Sequence, residues 1–514
     1  MIGPFTLLSS NPSYFVVASL YIVNLAIVVV TLFTIGNNRR PTTAVAWLLA
    51  ISLIPYVGLL LFLLFGTNRL PKFRRNRQAE FDKIIRQATD EVQDSLGLTP
   101  VPEQYQPISA LAHELTSIPH LPGNRIQIHD IYNDTIDEMS AEIDRAHSYV
   151  HLTFYAMGYD GVTEGFFDAL ERAVERGVRV RVLYDQVGSF RYPGYRKLKR
   201  RLNEIGCDWH RLYSIWPWEG GWQRIDLRNH RKLLVVDGRV GWMGSQNLIS
   251  RDYHRKPTRR FGSLQWQDLM VRVAGPMALG LDAVFRSDWY VETGELADDG
   301  DDPTLQDYAR HYEQELAASE DEGADTSVDY TRYDCQLVPS GPGYEHENNL
   351  RIFTQLLYMA RHRVVIASPY FAPDDSMRYA ITTAVQRGVE VHLHVSEHGD
   401  QFFTQHAQQS YYEELLRAGV RIWLYRTPYI LHAKHMTVDD EVTILGSSNM
   451  DMRSFTLNAE VMLIVYGRDF ARRFEWVEHS YRVNSRELTL EEWMSRSRLA
   501  FALDDLCRLT SVVQ

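Results

Sequence analysis

One eighteen-residue pattern occurs twice in this sequence, about 200 residues apart. The two copies are HRKLLVVDGRVGWMGSQN, His230–Asn247, and HAKHMTVDDEVTILGSSN, His432–Asn449. Both have a histidine, a lysine two residues later, an aspartate seven residues later, and Gly-Ser-x-Asn at the end. A duplication that keeps residue types and spacing indicates a repeated structural unit whose function needs both copies.

The repeat extends upstream of both motifs. In each half an amphipathic helical pattern ends at a glycine, Gly177 or Gly388, and an alternating strand pattern follows, VRVRVLY or VEVHLHV. A glycine after a helix and then a strand rich in β-branched residues is typical of an α/β unit. The sequence therefore predicts an α/β fold with two similar lobes, 123–295 and 331–485, which form one catalytic unit about a pseudo-twofold axis.

Two apolar runs near the N-terminus predict a membrane hairpin within residues 1–70. Tyr14–Ile35 and Thr43–Phe65 are uncharged, and about 20 residues of helix cross a bilayer. A signal peptide is the alternative, but no basic segment precedes the first run. Cations after the second run outnumber Arg39 and Arg40 in the loop, which favours a cytoplasmic C-terminal part; they are Arg69, Lys72, Arg74, Arg75 and Arg77.

The remaining segments are connectors. Residues 71–122 are basic and then amphipathic, 296–330 form an acidic, apolar-poor linker or insertion, and 486–514 form a C-terminal helical segment. The net charge of −11, much of it in the acidic segment, argues against nucleic acid as a partner. The three cysteines are far apart, so no disulfide framework is expected. The oligomeric state is left open.

Each motif begins with a pair of side chains suited to phosphate chemistry. On a strand, residues i and i+2 share a face, so His230 and Lys232 point the same way, as do His432 and Lys434. A neutral imidazole can attack phosphorus while an ammonium holds the negative charge. His435 lies three residues from His432, on the opposite face of the strand, so metal ligation is not expected and no cofactor is predicted.

The motif aspartates, Asp237 and Asp439, are also candidate catalytic residues, but their spacing sets them apart from the histidines. Seven residues of extended strand place an aspartate roughly 23 Å from its own histidine, so a turn or salt-bridge role is favoured. The predicted hairpin instead brings the Gly-Ser-x-Asn segment back beside the histidine. Its side chains are candidate hydrogen-bond donors to phosphate; they are Ser245, Asn247, Ser447 and Asn449.

Acidic residues on the strand after each motif are candidates to orient the histidines. Asp268 in LQWQDLMVRV and Glu460 in NAEVMLIV lie in such positions. A carboxylate on one ring nitrogen fixes the tautomer and supports the imidazolium. The alternative is an ordinary acid at a strand edge.

Two histidines together supply what phosphodiester exchange needs. One acts as the nucleophile and the other as the general acid for the leaving alkoxide. Lobes paired about a pseudo-twofold axis bring both motifs to one phosphate, where the lysines and asparagines stabilise the transition-state charge without a metal. Each motif is therefore predicted to be half of one site.

Two segments in the first lobe suggest contact with lipid. FRYPGYRKLKRRLNEIG is rich in cations, which suits an anionic membrane surface; a solvated helix face is the alternative. IWPWEGGW contains Trp216, Trp218 and Trp222, and tryptophan favours the membrane interface, although these residues also suit a core.

The paired motifs resemble those of the phospholipase D superfamily, and more narrowly those of bacterial cardiolipin synthases of the phospholipase D type. The resemblance covers almost the whole chain, including RRPTTAVAWLLAI, RNHRKLLVVDG, WQDLMVRVAGP, PYFAPDD and EEWMSRSRLAFALDDLCRL. The chain departs at Gly244-Ser245, where many of these synthases have Gly-Gly, and in the run Asp252–Phe261 and the acidic insertion.

The resemblance implies two phospholipase D lobes and a phosphohistidine route in the bacterial inner membrane, with a multi-pass N-terminus. One phosphatidylglycerol would be attacked at phosphorus and would lose glycerol; a second would accept the phosphatidyl group to give cardiolipin. His230 is favoured as the nucleophile and His432 as acid and then base, with the reverse left open. A hydrolytic phospholipase D or a transphosphatidylase, with water or another lipid alcohol as acceptor, is the main alternative. A nuclease or a non-catalytic scaffold fits less well.

Overall fold

The computed structural model describes residues 12–35, 41–66, 69–93, 101–214, 216, 223–253, 263–298 and 331–509. The acidic segment from residue 299 onward lies outside these ranges, as do Trp218 and Trp222. The contacts divide the chain into two units. One comprises residues 1–69 with 223–226, and the other comprises the rest.

The N-terminal unit contains three apolar helices, α1 Pro12–Ile35, α2 Pro41–Leu53 and α3 Pro55–Phe65. One helix, over Val16–Phe33, is long and apolar enough to cross a membrane among the described residues. The second apolar run is two helices of 13 and 11 residues, not the single spanning helix that the sequence predicts. Pro55 explains the break, because proline lacks an N–H and disfavours helix at the residue before it.

The second unit is built on one continuous sheet, in which sixteen strands of the described residues take part. The sheet runs in the order β20-β14-β13-β11-β16-β17-β19-β10-β1-β9-β7-β6-β2-β3-β4, with β5 paired to β19. The strands of the unit, four of them in two small separate pairs, are β1 Leu121–His129, β2 Tyr149–Phe154, β3 Arg179–Asp185, β4 Asp208–Leu212, β5 Arg228–Asn229, β6 Lys232–Val236, β7 Val240–Gly244, β8 Gln265–Gln267, β9 Met270–Ala274, β10 Tyr333–Ser340, β11 Arg363–Ala367, β12 Phe371–Ala372, β13 Glu390–Ser396, β14 Arg421–Tyr425, β15 Tyr429–Leu431, β16 His435–Val438, β17 Val442–Gly446, β18 Met450–Asp451, β19 Asn458–Tyr466 and β20 Ser485–Leu488.

Helices cover the sheet. They are α4 Lys72–Gln93, α5 Gln106–Thr116, α6 Tyr132–Asp144, α7 Glu164–Glu175, α8 Gln186–Phe190, α9 Tyr195–Ile205, α10 Met277–Thr293, α11 Asn348–Met359, α12 Asp375–Gln386, α13 Phe402–Gln409, α14 Tyr412–Ala418, α15 Met452–Thr456, α16 Arg468–Val483, α17 Leu490–Met494 and α18 Arg498–Arg508.

The two lobes repeat one pattern. In the first lobe β2, α7 and β3 form a parallel β-α-β unit, and β2 also pairs antiparallel with the motif strand β6. In the second lobe β11, α12 and β13 do the same, and β11 pairs with the motif strand β16. Gly177 and Gly388 follow α7 and α12 with φ of 87° and 91°. This left-handed conformation suits glycine and ends each helix as predicted.

The lobes share a hydrophobic core where their sheets join. Strand β1 pairs antiparallel with β10, which connects the two halves of the sheet. The central cluster of buried side chains combines Leu233 and Val271 of the first lobe with Leu445 and Leu463 of the second. Each such side chain contributes about 1.5–3 kcal/mol when fully buried, so the relative position of the lobes is fixed by core packing.

Two of the cations that follow the apolar runs form hydrogen bonds within this second unit. Arg74 is buried and donates to Glu292 at 2.8 Å, and Arg77 donates to the carbonyl of Val291 at 3.0 Å. These contacts hold α4 against the end of α10. The charge of Arg74 is therefore paired with a buried carboxylate.

We expect Arg74→Ala to lower the free energy of unfolding by about 3 kcal/mol, because it leaves the buried carboxylate of Glu292 without this partner. The control is Arg172→Ala, which breaks an exposed ion pair with Asp144 and is expected to cost less than about 1 kcal/mol. Denaturant unfolding of both variants measures the difference. Equal losses would show that burial of the pair has no effect.

Candidate active site

The two motif histidines lie where the lobes exchange short strands. Strand β5 pairs in parallel with β19 of the second lobe, and β15 pairs in parallel with β8 of the first lobe. Immediately after these strands, the N–H of His230 donates to the carbonyl of Ala459 at 2.8 Å, and the N–H of His432 donates to that of Gln267 at 2.7 Å. The backbone at each histidine is therefore held by the opposite lobe.

The side chains of the histidines are paired across the lobes as well. His230 Nδ1 lies 3.0 Å from Glu460 Oε2, and His432 Nδ1 lies 2.6 Å from Asp268 Oδ1. All four residues are buried. The structure thus places both predicted acids on a histidine, and each acid belongs to the lobe that does not contain its histidine.

This pairing selects the tautomer of both rings. An ionised carboxylate only accepts hydrogen bonds, so Nδ1 carries the proton and Nε2 keeps its lone pair. Burial, together with the charges of Lys232 and Lys434, lowers the pKa of His230 to about 4 and that of His432 to about 3, although the paired acids oppose this shift. Both imidazoles are therefore neutral near pH 7 before a substrate binds.

The acids stay ionised despite their burial. Burial alone raises a carboxyl pKa, but the neighbouring histidine and lysine charges and the hydrogen bonds outweigh it. The pKa values of Asp268 and Glu460 both lie below their usual range. The site therefore holds two negative charges behind its two imidazoles.

The motif lysines lie beside the histidines. Lys232 Nζ donates to the carbonyl oxygen of His230, and Lys434 Nζ donates to that of His432. Burial lowers the pKa of Lys232 well below its usual value and that of Lys434 to about 7, and the charge of Lys434 lowers the pKa of Lys232 further. Because each lysine also lowers the pKa of both histidines, the four side chains lie within electrostatic reach of one another.

The motif serines contact the acids. Ser245 Oγ donates to Asp268 and Ser447 Oγ donates to Glu460, both at 2.6 Å. Each hydroxyl also accepts a backbone N–H at 3.0 Å, from Leu269 or Val461. A hydroxyl has one proton to donate, so in this structure the serines hold the carboxylates and have no proton left for the phosphate contact that the sequence predicts.

The glycine before each serine has a steric reason. A Cβ at Gly244 would lie 2.2 Å from the carbonyl oxygen of Leu269, and one at Gly446 would lie 2.3 Å from that of Val461. Contacts this short are forbidden to a side chain. Glycine therefore lets the hairpin approach the next strand closely enough for the serine to reach its acid.

The two motif asparagines differ in their contacts. Asn247 Oδ1 accepts the N–H of Ala156 at 3.2 Å, and its Nδ2 donates to Tyr253 Oη at 3.2 Å. The buried Oδ1 of Asn449 has no hydrogen-bond partner among the described residues. Asn449 therefore has fewer hydrogen-bond partners than Asn247.

The motif aspartates lie in turns. Asp237 accepts the backbone N–H groups of residues 147–149, and Asp439 accepts those of residues 361–363, at 2.7–3.0 Å. Both have positive φ, 52° and 54°. Their carboxylates join the motif hairpin to the start of β2 or β11, so the structure gives them a turn role although they belong to the candidate catalytic set.

We expect Asp237→Ala to lower the free energy of unfolding by about 2–3 kcal/mol, because three backbone donors lose a charged acceptor. Turnover per folded molecule should be nearly unchanged at low temperature. Denaturant unfolding and a kinetic assay at 15 °C test both statements. A loss of turnover of about 100-fold or more in a variant that remains folded would instead place Asp237 in the chemistry.

Several buried residues around the site were not predicted from the sequence. Asp185, at the end of β3, accepts the N–H of Asn229, and Asp288 on α10 pairs with Arg231 and accepts from Asn229 at 2.9 Å. Tyr155 contacts the ring of His230, with centroids 4.8 Å apart, and Trp266 contacts His432 at 4.6 Å. Of these residues, Asp185 could have been predicted from the sequence, because it lies at the carboxyl end of a parallel strand, where functional residues are common.

His435 does not join the site. Its ring packs against Phe474 with centroids 4.8 Å apart. Among the described residues, no group of three or more His, Cys, Asp or Glu side chains is arranged to hold a metal.

Comparison with known proteins identifies the family of the chain. The family model described as "Cardiolipin synthase, PLD-like domain" matches residues 139–289 and 353–477, and "Phospholipase_D-nuclease N-terminal" matches 22–66. Cardiolipin synthase A of Pectobacterium carotovorum subsp. carotovorum (strain PC1) is 30% identical over 91% of this chain and 92% of its own. Cardiolipin synthase A of Proteus mirabilis (strain HI4320) is 29% identical over 92% of this chain and 94% of its own.

Among solved structures, phosphatidylserine synthase of Haemophilus influenzae Rd KW20 has the same fold. Its TM-score is 0.56 at 15% identity, over 79% of this chain and 99% of that one. The family model covers both lobes with their His-x-Lys motifs, which makes the chain a phospholipase D-type phosphatidyltransferase. Within that class, the chain belongs to the cardiolipin synthase family.

Proposed function

We propose that this enzyme transfers a phosphatidyl group from one phosphatidylglycerol to another, which releases glycerol and forms cardiolipin. The observation that carries the proposal is the crossed pairing of His230 with Glu460 and of His432 with Asp268. It presents two imidazole Nε2 atoms in one site that contains both motif lysines. The sequence similarity to enzymes named cardiolipin synthase A supports the choice of product.

In the first step, Nε2 of His230 attacks phosphorus and forms a P–N bond, while the P–O bond to glycerol breaks. His432 gives its proton to the glycerol oxygen. The charge of the bound phosphodiester favours the imidazolium, which offsets the lowered pKa that His432 has in the empty site. Glu460 stabilises the positive charge that develops on His230.

In the second step, His432 takes the proton from a terminal hydroxyl of the second phosphatidylglycerol. That oxygen attacks phosphorus, the P–N bond breaks, and His230 is restored. The charges of Lys232 and Lys434 stabilise the five-coordinate transition state. Asn449 is the amide available for phosphate, because Asn247 already contacts Ala156 and Tyr253. His432 therefore serves both steps, as the acid in the first and as the base in the second.

We place the enzyme at the bacterial inner membrane with its lobes on the cytoplasmic side. The apolar helix Val16–Phe33 supports membrane association, and the excess of cations after the apolar runs supports the orientation. Protease accessibility in inside-out and right-side-out vesicles tests the orientation. Cleavage of the lobes in right-side-out vesicles would contradict it.

The product formed from phosphatidylglycerol tests the proposed reaction. Purified full-length protein with phosphatidylglycerol liposomes should give cardiolipin and glycerol in equal amounts, and His230→Ala should give neither. Phosphatidic acid as the main product would identify a hydrolytic phospholipase D instead. Addition of other lipid alcohols in the same assay defines the acceptor.

The lowered pKa of Lys434, about 7, predicts the alkaline side of the pH profile. As the pH rises through that value in the free enzyme, Lys434 loses its proton and the site loses a positive charge. We therefore expect kcat/KM for phosphatidylglycerol to fall above about pH 7. Lys434→Arg keeps the charge, so its activity, although lower at pH 7, should continue to higher pH. The control Lys199→Arg should follow the wild-type profile; a Lys434→Arg profile that does so would contradict the assignment.

A further inference from the structure

A cavity in the first lobe lies outside the catalytic groups described above. Its volume is about 650 Å³, and the segment that joins α8 to α9, Phe190–Lys197, lines it. The lining is mainly apolar with a cationic edge. The apolar part comes from Phe190, Tyr192, Pro193 and Tyr195, and the cations are Arg191, Arg196 and Lys197.

The local packing fixes the shape of this surface. Helix α9 buries Leu198, Leu202 and Ile205 in the first-lobe core, and Arg196 and Lys197 in its first turn are exposed. Gly194, at the start of the helix, has φ of 88°, and a Cβ there would lie 2.6 Å from the carbonyl oxygen of Tyr159. The backbone of this segment therefore packs directly against that of Tyr159, at a distance that only glycine permits.

The three cations of the cavity have no acidic partner among the described residues, whereas their neighbours do. Arg201, one turn further along α9, pairs with Asp168 and Glu171, and Arg200 lies 3.5 Å from Glu204. The charges of Arg191, Arg196 and Lys197 are thus left for an anionic partner. Beside them, Phe190 exposes 65% of its surface. Cations next to an exposed aromatic ring match an anionic lipid surface, with its charged headgroups and apolar interior.

Aromatic contacts connect this cavity with the catalytic histidine of the second lobe. The ring of Tyr192 lies 4.6 Å from that of Tyr253, Tyr253 stacks on Trp266 at 5.5 Å, and Trp266 lies 4.6 Å from His432. Tyr253 also accepts a hydrogen bond from the motif residue Asn247. A packed series of aromatic rings in the first-lobe core therefore connects the cavity with the active site.

We propose that the Phe190–Lys197 surface docks on an anionic phospholipid surface and thereby holds the active site, to which the Tyr192, Tyr253 and Trp266 rings connect it, close to phosphatidylglycerol in that surface. This inference rests on the proposed function. Its partner is the lipid surface, bound by charge through the three cations and by burial of Phe190. Because cations near such a surface act independently of the chemistry, the surface governs capture of substrate and not the reaction of a bound molecule.

The test compares surface-bound with dissolved substrate. Full-length wild-type enzyme and the variant Arg191→Ala/Arg196→Ala/Lys197→Ala are assayed on long-chain phosphatidylglycerol in mixed micelles of varied mole fraction. The same proteins are assayed on short-chain phosphatidylglycerol below its micelle concentration. The matched control is Arg472→Ala/Arg482→Ala/Arg498→Ala, which removes three exposed arginines from the second lobe and the C-terminal segment.

We expect the cavity variant to have an apparent KM for micellar substrate that is raised about tenfold or more. Its kcat on micelles, and its kcat/KM on dissolved substrate, should match the wild-type values, and the control variant should match throughout. Unchanged KM on micelles would overturn the docking surface. Equal losses on both substrate forms would also overturn it, since they would show a catalytic or structural role. A wild-type enzyme that forms no cardiolipin from either substrate would instead refute the proposed function, and the inference with it.

Discussion

His230→Ala is expected to abolish cardiolipin formation, with kcat reduced about 10,000-fold or more, because it removes the proposed nucleophile. His432→Ala removes the proposed general acid and is expected to lower kcat about 100- to 10,000-fold. The two losses differ in kind. On the proposed mechanism, His432→Ala slows turnover because the leaving group is poorly protonated and the acceptor is not activated, but His230 should still carry the phosphatidyl group.

Rapid acid-free quenching with phosphate-labelled phosphatidylglycerol distinguishes these cases. Label bound to protein should be present in His432→Ala and absent in His230→Ala. His210→Ala, a change at a partly exposed histidine on β4, is the control and should behave as wild type. Label retained in His230→Ala and lost in His432→Ala would reverse the two roles.

The second large effect is expected from the crossed acids. Glu460→Gln and Asp268→Asn keep the shape of each side chain but remove the charge that fixes the histidine tautomer, and each should lower kcat about 1,000- to 10,000-fold. The first lobe supplies a matched control off the active site. There His151 Nδ1 lies 2.7 Å from Asp282 Oδ1, and both residues are buried. Asp282→Asn should cost stability and leave kcat per folded molecule nearly unchanged.

A separate measurement tests whether each acid pairs with the histidine of the other lobe. Glu460→Gln should change the titration of His230, in the other lobe, and leave that of His432 unaltered. Asp268→Asn should do the reverse. Histidine-labelled NMR of the four combinations measures the titrations. If Asp268→Asn perturbs His230 and not His432, each acid serves the histidine of its own lobe, and the crossed pairing is wrong.

The repeated pattern predicted much of the fold because its period and its stop signals are local. Gly177 and Gly388 end their helices in the left-handed conformation that only a residue without a side chain adopts readily. The break at Pro55 shows where length and apolarity alone were insufficient. The whole run is long enough to span a bilayer, but one proline divides it into two short helices.

At the candidate site, residue identity was more predictable than pairing. The sequence identifies His230, Lys232, Asp268 and Glu460, but it predicts His230 and Lys232 on one strand, whereas His230 lies between β5 and β6. It does not show which acid reaches which histidine, because that depends on the exchange of β5 and β15 between the lobes. The serines illustrate the same limit. Their spacing suggested phosphate donors, but the close approach at Gly244 and Gly446 directs both hydroxyls to the acids.

The number of phosphatidyl groups that one chain carries tests the central claim, that both motifs form a single site. Purified wild-type enzyme is mixed with labelled phosphatidylglycerol, quenched within the first turnover, and the protein-bound label is counted by intact mass. A shared site predicts at most one phosphatidyl group per chain, attached to His230. Two groups per chain, one on each motif histidine, would mean that each lobe works alone.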